Sequence, residues 1–87
     1  MSKISFSEKG WGDYCYWQTQ DKKTLKRINI LLQDISRNGF KGLEKPEPLK
    51  GDMTGLWSRR IDDANRLVYK ISDDEIEIIE CKGHYGD

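Results

Sequence analysis

One amphipathic stripe in the first half of the chain constrains the fold more than any other feature of the sequence. Its apolar residues recur at steps of three, four and three: Leu25, Ile28, Leu32 and Ile35. This spacing predicts an α-helix of about four turns with one buried face. Asp21 is placed to cap its N-terminus, and Asn38-Gly39 to end it with a left-handed residue. The apolar face requires a second layer of structure to pack against.

A strand and another helix are predicted to precede this stripe. Lys3–Phe6 alternates polar and apolar residues as a half-buried strand does, and Ser7 is suited to cap a helix. The face of this helix is expected to consist of Trp11, Tyr14, Cys15 and Gln18, with Tyr16 and Trp17 beside it. Gly10 and Gly12 should each weaken the helix, by about 1 kcal/mol relative to alanine. A joint at Thr19–Gln20 makes the two helices a hairpin.

The period of the pattern changes after Phe40. Residues 41–50 are expected to form a loop with an extended end, and residues 51–55 a turn. Three strands are predicted, at Leu56–Ile61, Leu67–Ser72 and Ile76–Lys82. Residues 1–87 are therefore predicted to form one domain of the α+β class. In it, an N-terminal strand and a two-helix hairpin pack on a mostly antiparallel sheet, in two layers.

Length and composition exclude several classes of protein. No apolar run approaches the roughly 20 residues that a membrane-spanning helix needs, and the N-terminus has no signal-peptide core, so a cytoplasmic protein is expected. Cys15 and Cys81 form no CxxC pair, which argues against a zinc site or a redox motif. Both are expected to be buried free thiols.

The net charge is zero, but it is unevenly distributed. Residues 22–60 carry ten Lys and Arg against four Asp and Glu, whereas residues 61–87 carry three against eight. The basic middle could bind an anionic polymer such as RNA, or an acidic protein segment. A solvated helix face would explain the basic residues of 22–27 equally well. It explains less well the basic residues outside the helical pattern, which are Lys41, Lys45, Lys50, Arg59 and Arg60.

The pairing of the first two strands of the predicted meander decides where the arginines point. Pairing Ile61 with Arg66 would place Arg60 and Arg66 on opposite faces, whereas pairing Ile61 with Leu67 gathers the apolar side chains on the face towards the helices. The apolar pattern favours the second register. It places a largely cationic set on the other face, namely Arg60, Arg66, Val68 and Lys70. That face is too cationic for a second core and is a candidate anion site.

The segment Lys45-Pro-Glu-Pro-Leu-Lys50 contains the only prolines of the chain. Pro46 and Pro48 favour extended dihedrals at the residues before them, so Glu47 is expected on a stiff extended segment between two lysines. Prolines and lysines also protect edge strands against unwanted pairing, and this structural explanation of the segment stays open.

The C-terminus adds His84, the only histidine, and Tyr85. A histidine near a terminus is often only solvated, but here it accompanies a carboxylate and an arginine-rich face. Cleavage of RNA by its own 2′-hydroxyl needs a base, an acid and cations that stabilise the phosphorane-like charge. Glu47, His84 and the pair Arg60 and Arg66 could supply these, and Tyr85 could stack on a base or donate to a phosphate.

Several motifs together resemble one family over residues 4–85. They are Trp11-Gly-Asp-Tyr-Cys-Tyr-Trp17, Lys45-Pro-Glu-Pro-Leu-Lys50, Gly55-Leu-Trp-Ser-Arg-Arg-Ile61, Arg66-Leu-Val-Tyr69 and His84-Tyr85. In this order and spacing they resemble the YoeB (Txe/YoeB) toxins of bacterial type II toxin–antitoxin systems, in the RelE-like superfamily. The resemblance implies the RelE-like two-layer fold.

The resemblance also implies an activity, namely a ribosome-dependent endoribonuclease that cuts mRNA in the 70S A site and leaves a 2′,3′-cyclic phosphate. Glu47 then matches the general base, His84 the general acid and Arg66 the phosphate-stabilising arginine. Lys50 and Arg60 match further cationic contacts with the substrate, and Tyr85 matches the family's terminal tyrosine, in catalysis or in substrate binding. No metal or cofactor is implied. The implied partners are a cognate YefM-like antitoxin with an acidic disordered segment and a second copy of the toxin in a homodimer.

The chain departs from the family pattern at its end, where Gly86-Asp87 follows the tyrosine. An acidic terminus beside the site could alter the placement of the tail or weaken RNA binding. Two other functions stay open on the same fold: a non-catalytic toxin like the ParE-type gyrase inhibitors, and a generic RNA-binding module. Neither needs Glu47, Arg66 and His84 together.

Overall fold

The predicted helix hairpin lies across one face of a five-stranded sheet. The computed structural model describes residues 3–83 of the 87. In chain order the helices and strands are β1 (Lys3–Phe6), α1 (Glu8–Gln20), α2 (Lys22–Asn38), β2 (Glu47–Pro48), β3 (Trp57–Arg60), β4 (Arg66–Ser72) and β5 (Glu75–Glu80). A short 3₁₀ turn at Gly51–Met53 separates β2 from β3.

The strands are arranged in the order β1-β5-β4-β3-β2. Neighbours are antiparallel except β1, which lies parallel to β5 at the edge of the sheet. The prediction of an α+β fold with a mostly antiparallel sheet is confirmed. No helix within residues 3–83 is long and apolar enough to span a bilayer.

The capping residues are those that the sequence predicts. The Ser7 hydroxyl accepts the Gly10 N–H at 3.0 Å, and the Asp21 carboxylate accepts the Lys23 and Thr24 N–H groups. Gly39, with φ +61°, ends α2. The hairpin is joined at the single residue Asp21, slightly later than the predicted Thr19–Gln20.

The core lies between the α2 stripe and the near face of the sheet. Three of the four predicted stripe residues, Ile28, Leu32 and Ile35, are buried, and Leu25 is half-buried. They pack with a set of buried side chains that β3 to β5 and their flanking residues contribute: Ile61, Leu67, Tyr69, Ile76, Ile78 and Cys81.

The predicted face of α1 is right for Tyr14, which packs against the core, and wrong for Trp11 and Gln18, which are exposed. The side of this helix that packs on β5 contains Gly10 and Trp17, whereas Trp11 is 53% exposed. A Cβ at position 10 would lie 2.2 Å from the Ile78 carbonyl oxygen, so this glycine allows helix and strand to touch and is not merely a weak point. Of the two thiols, Cys81 is buried as expected, but Cys15 is only half-buried.

A β-bulge interrupts the pairing of β4 with β5. Tyr69 faces Ile78 and Val68 faces Glu80, so Ile79 is an extra residue on β5. The Ser7 hydroxyl donates to the Ile79 carbonyl at 2.7 Å, which ties the start of α1 to the bulge. Beyond the bulge the alternation shifts by one residue, and this brings Cys81 into the core.

Candidate active site

Arg60 of β3 and Arg66 of β4 face the same side of the sheet. Arg60 lies directly opposite Arg66, so the register is shifted by two residues from the predicted pairing of Ile61 with Leu67. A shift of two leaves every side chain on its predicted face, because side chains alternate with a period of two. Ile61 and Leu67 are accordingly buried on the side of the helices.

Glu47 reaches the same face from the edge strand β2. It lies opposite Ser58 of β3, which in turn lies opposite Val68 of β4. The Leu49 N–H donates to the Leu56 carbonyl, so the N–H positions that point towards β3 are those of Glu47 and Leu49. Pro48 falls between them, where the strand needs no donor. Edge protection and placement of the carboxylate are therefore compatible roles for the two prolines.

The residue before Pro46 does not have the expected extended conformation. Lys45 has φ +47° and Glu44 has φ +58°, both in the left-handed region. Pro46 disfavours the right-handed helical region for Lys45, and the chain meets this restriction with a left-handed turn. This turn places Glu44 and Lys45 at the mouth of the site.

Five charged residues surround an open cleft of about 430 Å³ on the face of the sheet away from the helices. Its lining is Glu44, Lys45, Glu47, Arg60 and Arg66. Lys50 is exposed and is not among the described lining residues. His84 and Tyr85 lie outside the described residues, so their place at this site stays a prediction from the sequence.

Two guanidinium groups directly opposite each other would repel. Each has a carboxylate partner: Arg66 Nη1 lies 3.7 Å from Glu47 Oε1, and Arg60 pairs with Asp63 of the turn that follows β3. The Arg66 side chain is 24% exposed and that of Glu47 is 48% exposed. Like charges held together at a surface and only partly compensated are suited to binding an anion.

Arg59 is not a surface cation, although it belongs to the basic middle of the sequence. Its side chain points to the opposite face and is fully buried. It pairs with Asp34 of α2 and donates to the Tyr69 hydroxyl. It also donates to three carbonyls of the α2–β2 connection, those of Gly39, Lys41 and Leu43. Arg59 thereby fixes the loop that leads to the site.

Asp34 completes this buried arrangement. Burial alone would raise the pKa of its carboxyl, but hydrogen bonds from Arg59, the Leu43 N–H and Asn38 outweigh it and lower the pKa below the ordinary value. Asp34 is therefore ionised near neutral pH and holds the charge of Arg59 in place.

The far face of the sheet is not cationic throughout. Val68 and Ser58 are fully buried there, and Leu49 is also buried. The expectation that this face is too cationic for a second core holds for the Arg60–Arg66 end only. The Ser58 hydroxyl has no hydrogen-bond partner among the described residues.

The strand that leads to His84 is held by α1. The Trp17 indole N–H donates to the Cys81 carbonyl at 2.8 Å, and the Asp13 carboxylate accepts the Cys81 N–H at 3.1 Å. Sequence reasoning assigned these two residues no role. Their presence in the Trp11–Trp17 motif was the one available signal.

The described residues offer no other evident chemistry. Burial, with a smaller effect of the Asp13 charge, raises the pKa of the Cys81 thiol to about 12, so this thiol stays neutral and is a poor nucleophile. Within residues 3–83, no three His, Cys, Asp or Glu side chains are grouped so as to hold a metal ion.

Comparison with known proteins gives a consistent result. The protein-family model for the YoeB-like toxins of bacterial type II toxin–antitoxin systems matches residues 6–85 of the sequence. A YoeB toxin of Streptomyces coelicolor is 55% identical over 83 residues, which are 95% of this chain and 99% of that protein.

Solved structures agree with the sequence comparison. A YoeB/ParE toxin from Agrobacterium tumefaciens superposes with a TM-score of 0.93 at 45% identity, over 95% of this chain and 99% of that one. YoeB of Staphylococcus aureus, solved as a dimer, superposes with a TM-score of 0.89 at 49% identity, over 97% of this chain and 98% of that one. It has also been solved in complex with YefM, and there it is 48% identical over 98% of this chain and 99% of that one. This chain belongs to the family of YoeB-like toxins of bacterial type II toxin–antitoxin systems.

Proposed function

We propose that this toxin inhibits translation as an endoribonuclease that cuts mRNA in the ribosomal A site. The main support for the proposal is the ion pair between Glu47 and Arg66. It lies in an open cleft whose other cations are Arg60 and Lys45. A binding surface for RNA alone would gain nothing from a carboxylate next to its phosphate-binding arginine. A nuclease that activates a 2′-hydroxyl requires one.

Glu47 is the base in this proposal. Its carboxylate takes the proton of the ribose 2′-hydroxyl, and the oxygen then attacks the adjacent phosphorus. The bond from phosphorus to the 5′-oxygen breaks, and His84 donates a proton to that oxygen as it leaves. The products are a 2′,3′-cyclic phosphate and a 5′-hydroxyl end. Every proton and electron pair is supplied by the substrate and these two side chains, with no metal in any step.

Arg66 stabilises the charge that develops on the phosphate oxygens, and Arg60 and Lys50 contribute further cationic contacts. When the scissile phosphate enters, Arg66 donates to it, and this competes with the ion pair between Arg66 and Glu47. The carboxylate is then available to the 2′-hydroxyl beside the same phosphate. Tyr85 stacks on a base or donates to the phosphate.

The proposed partners follow from the relatives. A YefM-like antitoxin with an acidic segment would neutralise the toxin by covering the basic middle of the chain, as the S. aureus relative binds YefM. A homodimer is proposed by analogy with the dimer of the same relative. The ribosome supplies the mRNA in an extended form that can enter an open cleft.

The proposal is tested by mapping mRNA 5′ ends in translating extracts with the parent toxin and two glutamine variants. We expect cuts only in ribosome-occupied codons. Glu47→Gln should slow cleavage by about 10²- to 10⁴-fold, the usual effect of removing a general base. Glu44→Gln is the matched control, because Glu44 lines the same cleft but pairs with Arg27 of α2 at 3.5 Å.

Three results would contradict the proposal. Cuts without translating ribosomes would remove the ribosome from the mechanism, and equal activity of Glu47→Gln and the parent would remove Glu47. Growth arrest without any mRNA cleavage, with inhibited gyrase, would favour the ParE-like alternative.

A further inference from the structure

Gly83, the last described residue before His84, is held by two hydrogen bonds from the start of β4. Its N–H donates to Asn65 Oδ1 at 2.8 Å, and its carbonyl accepts the Arg66 N–H at 2.9 Å. Gly83 has φ +84°, a conformation that residues with a Cβ rarely adopt. The chain therefore makes a fixed turn at the residue that precedes the proposed acid.

Asn65 is itself rigidly oriented. The Asp62 carboxylate accepts the Asn65 backbone N–H at 2.8 Å and its side-chain amide Nδ2 at 3.0 Å. The Asn65 backbone carbonyl accepts the backbone N–H groups of Ile61 and Asp62. Because Nδ2 donates to a carboxylate, the amide oxygen must point the other way, towards Gly83.

We propose that Asn65 is a positioning residue that sets the place of His84 relative to Arg66. The inference rests on the proposed function for its catalytic meaning. Asn65 directly precedes the phosphate-binding arginine, and its side chain holds the residue that directly precedes the acid. Consecutive Cα atoms lie about 3.8 Å apart, so fixing Gly83 restricts where the His84 backbone can go. The residue before the proposed acid is thus tied to the residue before the phosphate-binding arginine.

The effect on catalysis should be larger than the effect on folding. Hydrogen bonds of a partly exposed side chain contribute little to stability, whereas a displacement of a catalytic group by about 1 Å can cost as much as 10²-fold in rate. Asn65→Ala should therefore slow single-turnover cleavage by roughly tenfold or more. The melting temperature should fall moderately, and by more than in Asn29→Ala, because the bond to Gly83 and the two contacts of Nδ2 with Asp62 are lost together.

Asn29→Ala is the matched control. It removes another half-buried asparagine, whose Oδ1 accepts one hydrogen bond, from the Tyr14 hydroxyl at 2.7 Å. That contact joins α1 to α2 and involves neither β4 nor the C-terminal segment. The control should leave the rate of cleavage within about twofold, as expected for a site remote from the chemistry.

Two measurements do not depend on activity. The exchange of the Gly83 amide hydrogen should accelerate by about threefold to tenfold in Asn65→Ala, as expected for the loss of one hydrogen bond, and should stay unchanged in Asn29→Ala. Since His84 is the only histidine, its imidazole gives a single set of NMR signals. Its titration midpoint or shifts should change in Asn65→Ala only.

A double variant tests whether Asn65 acts through His84. In the His84→Ala background, Asn65→Ala should cause less than about a twofold further loss of cleavage, because the group it positions is gone. Gly83→Ala, which strains the same turn while keeping Asn65, should reproduce the loss seen with Asn65→Ala. It serves as the second variant if Asn65→Ala folds poorly.

The outcomes separate this inference from the proposed function. If the parent toxin cleaves nothing, the proposed function fails, while amide exchange and the histidine signals still decide whether Asn65 holds the segment. If the parent cleaves mRNA but Asn65→Ala cleaves as fast as Asn29→Ala, or its effect is fully additive with that of His84→Ala, the positioning role is wrong.

Discussion

Arg59 and Arg60, consecutive residues of β3, have opposite environments. The Arg59 guanidinium is fully buried among five acceptors, whereas the Arg60 side chain is 48% exposed and pairs with Asp63, which is almost wholly exposed. A strand places adjacent side chains on opposite faces, so one arginine serves the fold and the other serves the cleft. Burying a guanidinium is tolerable only because a carboxylate and several carbonyls surround it.

Replacing each arginine by methionine should separate these roles. Arg59→Met removes the guanidinium that Asp34 and three carbonyls share, so we expect a loss of about 3–5 kcal/mol in the free energy of unfolding. Arg60→Met should change it by less than about 1 kcal/mol, because exposed ion pairs contribute little. Denaturant titration monitored by tryptophan fluorescence measures both. Arg60→Met should instead weaken cleavage. Equal stability of the two variants would show that the buried guanidinium does not hold the connecting loop.

At the scale of helices and strands, local signals in the sequence were sufficient where a single segment determines the outcome. Ser7, Asp21 and Gly39 satisfy backbone groups of their own helices, so their roles follow from nearby residues. The α1 face was predicted only in part because contact with another element decides it. Trp11 is exposed and contacts the half-buried rings of Phe6 and Tyr14, while Gly10 packs against β5.

The bulge in β5 could not be predicted from the alternation of polar and apolar residues either. The consecutive isoleucines at positions 78 and 79 were the one sign that the period breaks there. The face of the site residues was predictable, because a register error of two residues preserves it. The left-handed turn at Lys45 and the anchoring of Cys81 by Asp13 and Trp17 were not predictable, since both depend on segments distant in sequence.

The two glycines of α1 allow the packing of helix and strand to be tested. Gly10→Ala would place a Cβ 2.2 Å from the Ile78 carbonyl oxygen, so helix and strand must separate. We expect a destabilisation of about 1–3 kcal/mol, typical of overpacking against backbone. A Cβ at Gly12 meets nothing within 4 Å, and Gly12→Ala should stabilise the protein by roughly 0.5–1 kcal/mol through helix propensity alone.

Thermal unfolding of both alanine variants and the parent provides the measurement. The two melting temperatures should move in opposite directions relative to the parent. Stabilisation by both substitutions would mean that α1 and β5 are not in the close contact described.

At the scale of the whole molecule, zero net charge conceals a strong separation of charge. The basic residues of 22–60 include two classes, the lysines on exposed positions of α2 and the cations around the cleft. Only the second class lies where a scissile phosphate would bind. The sequence alone cannot separate these classes, because the assignment depends on how β2 folds back on β3.

The salt dependence of RNA binding can separate these two classes of basic residue. Each contact with a phosphate of single-stranded RNA releases counterions, so the loss of one contact changes the slope of the logarithm of the binding constant against the logarithm of the salt concentration by about 0.7. In a Glu47→Gln background, which is expected to slow cleavage, Lys45→Ala/Lys50→Ala should flatten this slope by about 1.4 for binding to mRNA-programmed ribosomes. Lys22→Ala/Lys26→Ala is the matched control, because it also removes two exposed lysines, both from α2. The control should leave the slope unchanged. An equal flattening by both pairs would mean that the overall charge separation, and not Lys45 and Lys50 in particular, directs the toxin to its anionic partner.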